Sequence, residues 1–168
     1  MQVNNRVLFL GIGNYLMGDE GIGVHVAQRM AAAVPTPRLD ILDGGTGGFY
    51  LLEYFEQYDE VIIVDATLDR RKPGTIRHIT PRFASDFPQA MSTHDIGLKD
   101  LVGALQLLGR MPVIHLLVVS IETVQQQGTA LTNELEAVVP ELMKRVSAFA
   151  AAMDDGVQNQ LPLRLTGT

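Results

Sequence analysis

Short apolar runs alternate with longer stretches in which apolar residues recur at the helical period. The apolar runs predict buried strands of a parallel sheet, and each of them ends at a glycine or a polar residue. They lie at residues 6–10, 39–42, 61–64 and 113–119. The helical period predicts helices at about residues 21–33, 49–57, 98–108 and 131–153, and Pro140 should kink or restart the last of these.

The remaining segments complete an α/β fold. Residues 75–79 predict an edge strand, and residues 81–93 predict a loop with one possible helical turn before a further helix. Strands that alternate with helices of this length imply crossover connections between parallel neighbours. We therefore expect one domain over residues 1–155, a three-layer sandwich of a twisted, mostly parallel sheet with helices on both faces. Residues 156–168 should form a loosely held tail.

Composition narrows the classes of function. A net charge of −6 and scattered basic residues would repel a phosphate backbone, which argues against nucleic acid as a partner. No apolar run approaches the roughly 20 residues that cross a bilayer, and residues 1–14 lead directly into a strand-like segment, so we expect neither membrane insertion nor secretion. The absence of cysteine excludes a disulfide scaffold, a zinc–cysteine site and a cysteine nucleophile. It also favours a cytoplasmic location.

Polar clusters follow three of the predicted strands. The segment Gly18-Asp19-Glu20-Gly21 comes after the first strand and its turn, Asp43 follows the second strand, and Asp65 closes the third. In an open parallel sheet, ligands bind beyond the carboxyl ends of the strands. We therefore expect the three clusters to share one edge of the sheet.

The chemistry of these residues allows a metal site and also simpler interpretations. Asp19 and Glu20 suit the capping of a helix start as well as a ligand role, Asp65 suits a turn, and His94 suits a solvated helix start. Together, two carboxylates and one imidazole suit zinc, nickel or another divalent ion. The glycines around Glu20 weaken a helix start, so we expect them to admit another molecule close to this carboxylate.

Two further interpretations receive less support. The turn after the first strand superficially suggests a dinucleotide fingerprint, but Leu16 occupies the third glycine position and the nearby carboxylates would repel a pyrophosphate. A nucleotide-binding module is therefore a remote alternative. His25, His78 and His115 lie outside the expected strand-end loops, and we interpret all three as structural.

Four short motifs, in order and with fitting spacing, resemble the nickel-iron hydrogenase maturation endopeptidases. They are Gly11-Ile12-Gly13-Asn14 with Gly18-Asp19-Glu20-Gly21-Ile22-Gly23, Asp43-Gly44-Gly45-Thr46, Val64-Asp65-Ala66, and His94-Asp95-Ile96-Gly97-Leu98. The resemblance implies an endopeptidase that recognises nickel in a hydrogenase large-subunit precursor and removes its C-terminal extension. It also implies the twisted sheet sandwiched by helices that was predicted above.

The resemblance carries over to individual residues. Glu20, Asp65 and His94 match the family's metal-binding and catalytic positions, and nickel would arrive with the precursor. Another divalent ion such as zinc or cadmium would occupy the site in vitro. Asp43 would orient the substrate or a ligand, although a tight turn explains the same residue. The implied partner is the precursor, and we expect a monomer.

Two other functions keep the same ligands. A non-catalytic, metal-sensing chaperone of hydrogenase assembly would release the precursor uncut, and a free-standing metallopeptidase would also degrade unrelated peptides. Analysis of the reaction products separates both from a maturation endopeptidase.

Overall fold

The computed structural model of the protein describes residues 6–33, 35–88, 98–123 and 127–158. Within these residues, five strands form one sheet. They are β1 (Val7–Gly11), β2 (Leu39–Asp43), β3 (Glu60–Thr67), β4 (Ile76–Ile79) and β5 (Val113–Ser120). All four predicted apolar runs correspond to strands of this sheet, apart from Arg6, which precedes β1, and the predicted edge strand is β4.

The strands are arranged in the order β2-β1-β3-β5-β4. Four of them run parallel, and β4 pairs with β5 in the antiparallel direction. The central strands are buried on both faces, and Val61, Ile62, Ile63 and Val64 of β3 are fully buried. This double burial explains why the strands are continuous apolar runs. Successive side chains of a strand point to opposite faces of the sheet, and each face is covered by a helical layer.

Helices cover both faces of the sheet. They are α1 (Ile22–Ala32), α2 (Leu52–Gln57), α3 (Leu98–Leu107) and α4 (Asn133–Gln158). One apolar core joins α1 and α4 to one face, and a second joins α2 and α3 to the other. The predicted three-layer α/β sandwich is therefore confirmed. Among the described residues, no helix is both long and apolar enough to span a membrane.

Helix α4 is continuous through Pro140. Of the kink or restart predicted there, the restart is therefore absent. The proline lies on the exposed side, where water can bind the carbonyl oxygen of Glu136 that loses its backbone donor. The described part of the helix reaches Gln158, and residues 159–168 lie outside the described part of the chain, so the domain of residues 1–155 and its tail stay a prediction.

Candidate active site

Three loops meet at the carboxyl edge of the sheet. Gly11, the last residue of β1, pairs with Asp43 on one side and with Val64 on the other. Beyond the strand, the N–H of Gly13 donates to the carbonyl oxygen of Gly45 at 2.8 Å. The loops that follow β1 and β2 are thus hydrogen-bonded to each other next to β3, as the sequence predicts.

Glu20 lies in a single 3-10 turn, Gly18–Gly21, that precedes α1 and contacts β3. Its side chain is fully buried, and its N–H donates to the carbonyl oxygen of Met17 at 3.3 Å. The N-cap residues of this turn and of α1 are Met17 and Gly21, and neither makes a side-chain cap hydrogen bond. Asp19 and Glu20 lie in the first turn, where the helix dipole also favours a carboxylate, so neither is the N-cap residue itself.

The glycines of this region provide space for the protein's own backbone. A Cβ atom on Gly23 would lie 2.1 Å from the carbonyl oxygen of Val64 and 2.2 Å from that of Ile12. A Cβ atom on Gly13 would lie 2.1 Å from the carbonyl oxygen of Glu20. The expectation that the glycines admit another molecule is therefore wrong at Gly23. They let α1 begin directly against β1 and β3, which brings Glu20 to the strand that carries Asp65.

Asp65 is fully buried and lies within β3, not at its end. The strand continues to Thr67 because Asp65 pairs with Val118 and Thr67 with Ser120 of the longer strand β5. The position still lies at the site, since β1 ends at the residue that pairs with Val64. One oxygen of Asp65 accepts the N–H of Ala66 at 2.8 Å, which fixes the side chain's orientation.

Asp19 makes a polar contact that no sequence pattern predicts. Its exposed fraction is 2%, and its two carboxylate oxygens accept the N–H and the Oγ1–H of Thr132, each at 2.8 Å. The two residues are 113 positions apart in the chain. Asp19 therefore binds a distant segment, whereas Glu20 beside it lies against the sheet.

The segment that contains Thr132 is here called the strap, residues 127–132. The chain that leads to it leaves β5 beside β3, where the N–H of Ile121 donates to the carbonyl oxygen of Thr67 at 3.0 Å. The strap then meets the loop after β1 on the other side of β3. There Gly128 accepts the N–H of Gly18 at 2.8 Å and donates to the carbonyl oxygen of Leu16 at 2.7 Å. The strap thus borders the turn that carries Glu20.

Asp43 is exposed at the end of β2 and stabilises a turn. Its Oδ1 accepts the N–H of Gly45 at 3.0 Å, and its Oδ2 accepts a hydrogen bond from Gln28 at 3.3 Å. The hydroxyl of Tyr50 donates to the carbonyl oxygen of Gly44 at 2.8 Å. Partial burial raises the pKa of Tyr50, and the charge of Asp43 adds to this shift. The tight-turn interpretation of Asp43 therefore has direct geometric support.

The third predicted ligand, His94, lies outside the described residues. Helix α3 begins at Leu98, which lines the same crevice as Ile12 and Gly47 at the carboxyl edge. Within the described residues, no three acidic, histidine or cysteine side chains are grouped closely enough to hold a metal ion. Glu20 and Asp65 thus provide two buried carboxylates on adjoining elements, and the complete ligand set remains a prediction.

The other histidines make contacts within the fold. The ring of His25 packs on Tyr15 with centroids 4.9 Å apart, and burial lowers its pKa. His115 contacts Glu60 at 3.0 Å and His78 at 3.2 Å. Burial is also the main reason that the pKa of His78 is lowered. These contacts agree with the structural interpretation of the three residues.

Fold and site together define a class, an open-sheet α/β protein with buried carboxylates at the carboxyl edge of its strands. Residues 24–148 match the family described as HycI, hydrogenase maturation protease. The chain is 33% identical over 156 residues to the hydrogenase 2 maturation protease of Escherichia coli strain K12, a match that covers 91% of this chain and 94% of the relative. It is 40% identical over 114 residues to the hydrogenase expression/formation protein HupD of Bradyrhizobium diazoefficiens, a match that spans 65% of this chain and 58% of that protein.

Solved structures agree with the sequence matches. The hydrogenase maturating endopeptidase HybD from E. coli superposes with a TM-score of 0.78 at 32% identity, covering 88% of this chain and 93% of that one. The NiFe hydrogenase maturation protease HybD from Thermococcus kodakarensis gives a TM-score of 0.71 at 27% identity, covering 86% and 99% of the two chains. The chain therefore belongs to the hydrogenase maturation protease family. The resemblance noted in the sequence is confirmed, and with it a peptidase function.

Proposed function

We propose that this protein is an endopeptidase that removes the C-terminal extension of a nickel-loaded hydrogenase large-subunit precursor. Bound nickel serves as the recognition element, and Glu20, Asp65 and His94 are its ligands on the protease. The family and the names of the relatives support the reaction class. The observation that carries the assignment to this edge of the sheet is the full burial of Glu20 and Asp65 on adjoining elements.

Burial gives these two carboxylates a strong preference for a cation. Ionised carboxylates lose hydration when they are removed from water, and a divalent ion compensates for this loss for both groups at once. Carboxylate oxygen together with imidazole nitrogen forms a donor set that suits nickel or zinc. The two carboxylates therefore fit the metal that the precursor would deliver.

The precursor supplies nickel as part of the substrate in this proposal. A nickel ion held between protease and precursor would add a positive charge beside the peptide to be cut. The protease contributes the carboxylates that hold this charge and the rigid turn that carries Glu20. Asp43 positions the glycine-rich loop after β2 through its bond to Gly45. Because the ion belongs to the substrate, nickel-free precursor should not be cut.

The test compares nickel-loaded and nickel-free precursor with wild type, Glu20→Gln, Asp65→Asn and His94→Ala. We expect each variant to lower kcat/KM on loaded precursor by about 100-fold or more, the scale of losing an essential active-site group. The matched controls are Glu141→Gln, Asp100→Asn and His78→Ala, in which exposed side chains undergo the same chemical changes. These controls should cleave at the wild-type rate.

The product distinguishes the remaining possibilities. Mass spectrometry of the large subunit should show loss of a C-terminal peptide, whereas a metal-sensing chaperone would release an uncut chain. Equal processing of loaded and nickel-free precursor would refute the recognition role of nickel. Degradation of unrelated peptides would indicate a general metallopeptidase, and thermal stabilisation by a nucleotide but not by nickel would indicate a nucleotide-binding module.

Three further expectations belong to this proposal. Zinc or cadmium should occupy the ligand set in vitro, which calorimetric titration of wild type against Glu20→Gln would measure. The protein should elute as a monomer when its molar mass is measured by light scattering. It should also be found in the cytoplasm after cell fractionation.

A further inference from the structure

We infer that Asp19 is a positioning residue for cleavage, which it serves by fixing the strap against the turn that carries Glu20. This inference rests on the proposed function of the site. Asp19 itself need not touch the substrate. Its part is to hold two chain segments in one arrangement, so that the neighbouring carboxylate is presented at the correct place.

The hydrogen bonds of Asp19 are specific for the strap. A carboxylate has two oxygens that accept without donating, and Thr132 offers two donors on the same side, its N–H and its Oγ1–H. Both bonds are 2.8 Å long, and the carboxylate is almost completely buried. Charge-assisted bonds of this kind are stronger than neutral ones and tolerate little displacement.

Two other contacts hold the strap in the same register. Met17 and Gly128 form a parallel bridge, whose hydrogen bonds join the residues on either side of Met17 to Gly128. The imidazole of His25, one turn into α1, hydrogen-bonds the backbone of Thr129. The strap is thus attached to the residues before Glu20, to Asp19 and to the helix after it.

These attachments matter because the turn that they hold carries Glu20. The N-cap residues of the turn and of α1 make no side-chain cap hydrogen bond, so the contacts of the turn with β3 and with the strap help to hold Glu20 in position. Catalytic groups must be held to within a fraction of an ångström, and a misplacement of about 1 Å can cost about 100-fold in rate. Loss of the Asp19 bonds should therefore lower kcat.

The experiment compares Asp19→Ala and Asp19→Asn on nickel-loaded precursor. Alanine removes both bonds, and we expect kcat to fall about 10- to 100-fold, as for other residues that orient a ligand. Asparagine keeps the geometry, because its carbonyl oxygen can accept from the N–H of Thr132 while its amide donates to the hydroxyl oxygen. It should therefore retain kcat within about threefold of wild type, the size of a weak hydrogen-bond effect.

Thr132→Val and Thr132→Ser examine the other partner. Valine removes the hydroxyl donor and keeps the N–H, so kcat should fall about threefold to tenfold, the factor for one hydrogen bond. Serine restores the donor and should restore kcat. Val139→Ala is the matched stability control, since it removes part of a buried side chain of α4 and none of the hydrogen bonds that hold the strap. Measured well below its melting temperature, it should show wild-type kcat.

Two readouts do not depend on cleavage. Titration with Ni²⁺ should show weaker binding for Asp19→Ala and unchanged binding for Asp19→Asn. Hydrogen exchange should be faster at the amides of Gly18 and Gly128 in Asp19→Ala than in Val139→Ala.

Three results would overturn the inference. They are wild-type kcat in Asp19→Ala, an equal loss in Val139→Ala, and an Asp19→Asn variant as inactive as Asp19→Ala, which would mean that the charge itself is required. If Asp19→Ala does not fold, wild-type kcat in Thr132→Val overturns it instead. Failure of the wild-type protein to cut loaded precursor would refute the proposed function, an outcome that is separate from these.

Discussion

A single added methyl group at Gly23 should destabilise the protein strongly. The backbone there is in ordinary helical territory, so Gly23→Ala introduces no unfavourable torsion angle. The new Cβ atom would, however, lie 2.1 Å from the carbonyl oxygen of Val64, 2.2 Å from that of Ile12 and 2.6 Å from the nitrogen of Ile12. All three are backbone atoms of the sheet and its first loop, so no side chain can rotate away.

The magnitude follows from the displacement that this clash requires. An ordinary contact begins at 3.4 Å, so α1 has to move by about 1.3 Å from β3. The movement loosens the contacts of Ile22, Val26 and Met30, which pack on the sheet. Overpacking of this kind costs roughly 1–3 kcal/mol or more, and the better helix propensity of alanine returns about 1 kcal/mol. Because the clash involves three rigid backbone atoms, the gross cost should lie at or above the top of this range, about 3–5 kcal/mol, which leaves a net loss of about 2–4 kcal/mol.

The assay is urea denaturation followed by far-UV circular dichroism, with thermal unfolding as a second measure. A loss of this size should lower Tm by roughly 5–15 °C in a chain of this length. Gly103→Ala is the matched control, since Gly103 is inside helix α3 and a Cβ atom there meets nothing within 4 Å. That variant should gain up to about 1 kcal/mol from helix propensity. Equal stability of the two variants would refute the packing argument.

Two further predictions concern titration. The pKa values of His25 and His78 are lowered from 6.5 in the folded protein. Just below pH 6.5 these two histidines therefore bind more protons in the unfolded chain than in the folded one. The free energy of unfolding should consequently fall as the pH is lowered from about 7 to 5. His78→Gln should weaken this pH dependence in urea titrations, and an unchanged slope would contradict it. Burial, together with the hydrogen bond that Tyr58 donates to Asp40, raises the pKa of Tyr58 to about 12. The contribution of the neutral Tyr58 hydroxyl to stability should therefore be lost as the pH rises from 10 through 12. Tyr58→Phe should cost about 1 kcal/mol at neutral pH and abolish the highest phenol titration seen by absorbance.

The sequence predicts the layers of this fold because its strands are buried on both faces. A strand such as β3 needs apolar side chains at its odd-numbered and its even-numbered positions, because both faces are covered. This gives a continuous apolar run at positions 61–64 that can be recognised in the sequence. The same reasoning ends the strand too early. Asp65 is of a type that is depleted in strands, and it and Thr67 are held in one by their pairing with Val118 and Ser120, which lie far along the chain.

The site is predictable only in part, for a similar reason. Glu20 and Asp65 stand out because they follow predicted strands and match the family's motifs, but Asp19 appears equivalent to Glu20 in local chemistry. Their difference arises from Thr132, a partner 113 positions away, and no local period encodes that contact. The sequence misleads about Gly23 because a missing side chain gives the same signal whether a substrate or the protein's own backbone occupies the space.

In the segment from Gly18 to Gly23, the roles of the glycines and of the acidic residues depend on each other. A helix that begins with three glycines in six residues is intrinsically weak, and no side chain caps its start. Its stability must therefore come from contacts outside the helix, namely the close approach of Gly23 to β3 and the bonds of Asp19 to the strap. Glu20 lies between these two contacts. The contacts that compensate for the weak helix start are therefore the same ones that fix the carboxylate of Glu20. A substitution at either contact should therefore change stability and the geometry of the site together, whereas a core substitution in α4 should change stability alone.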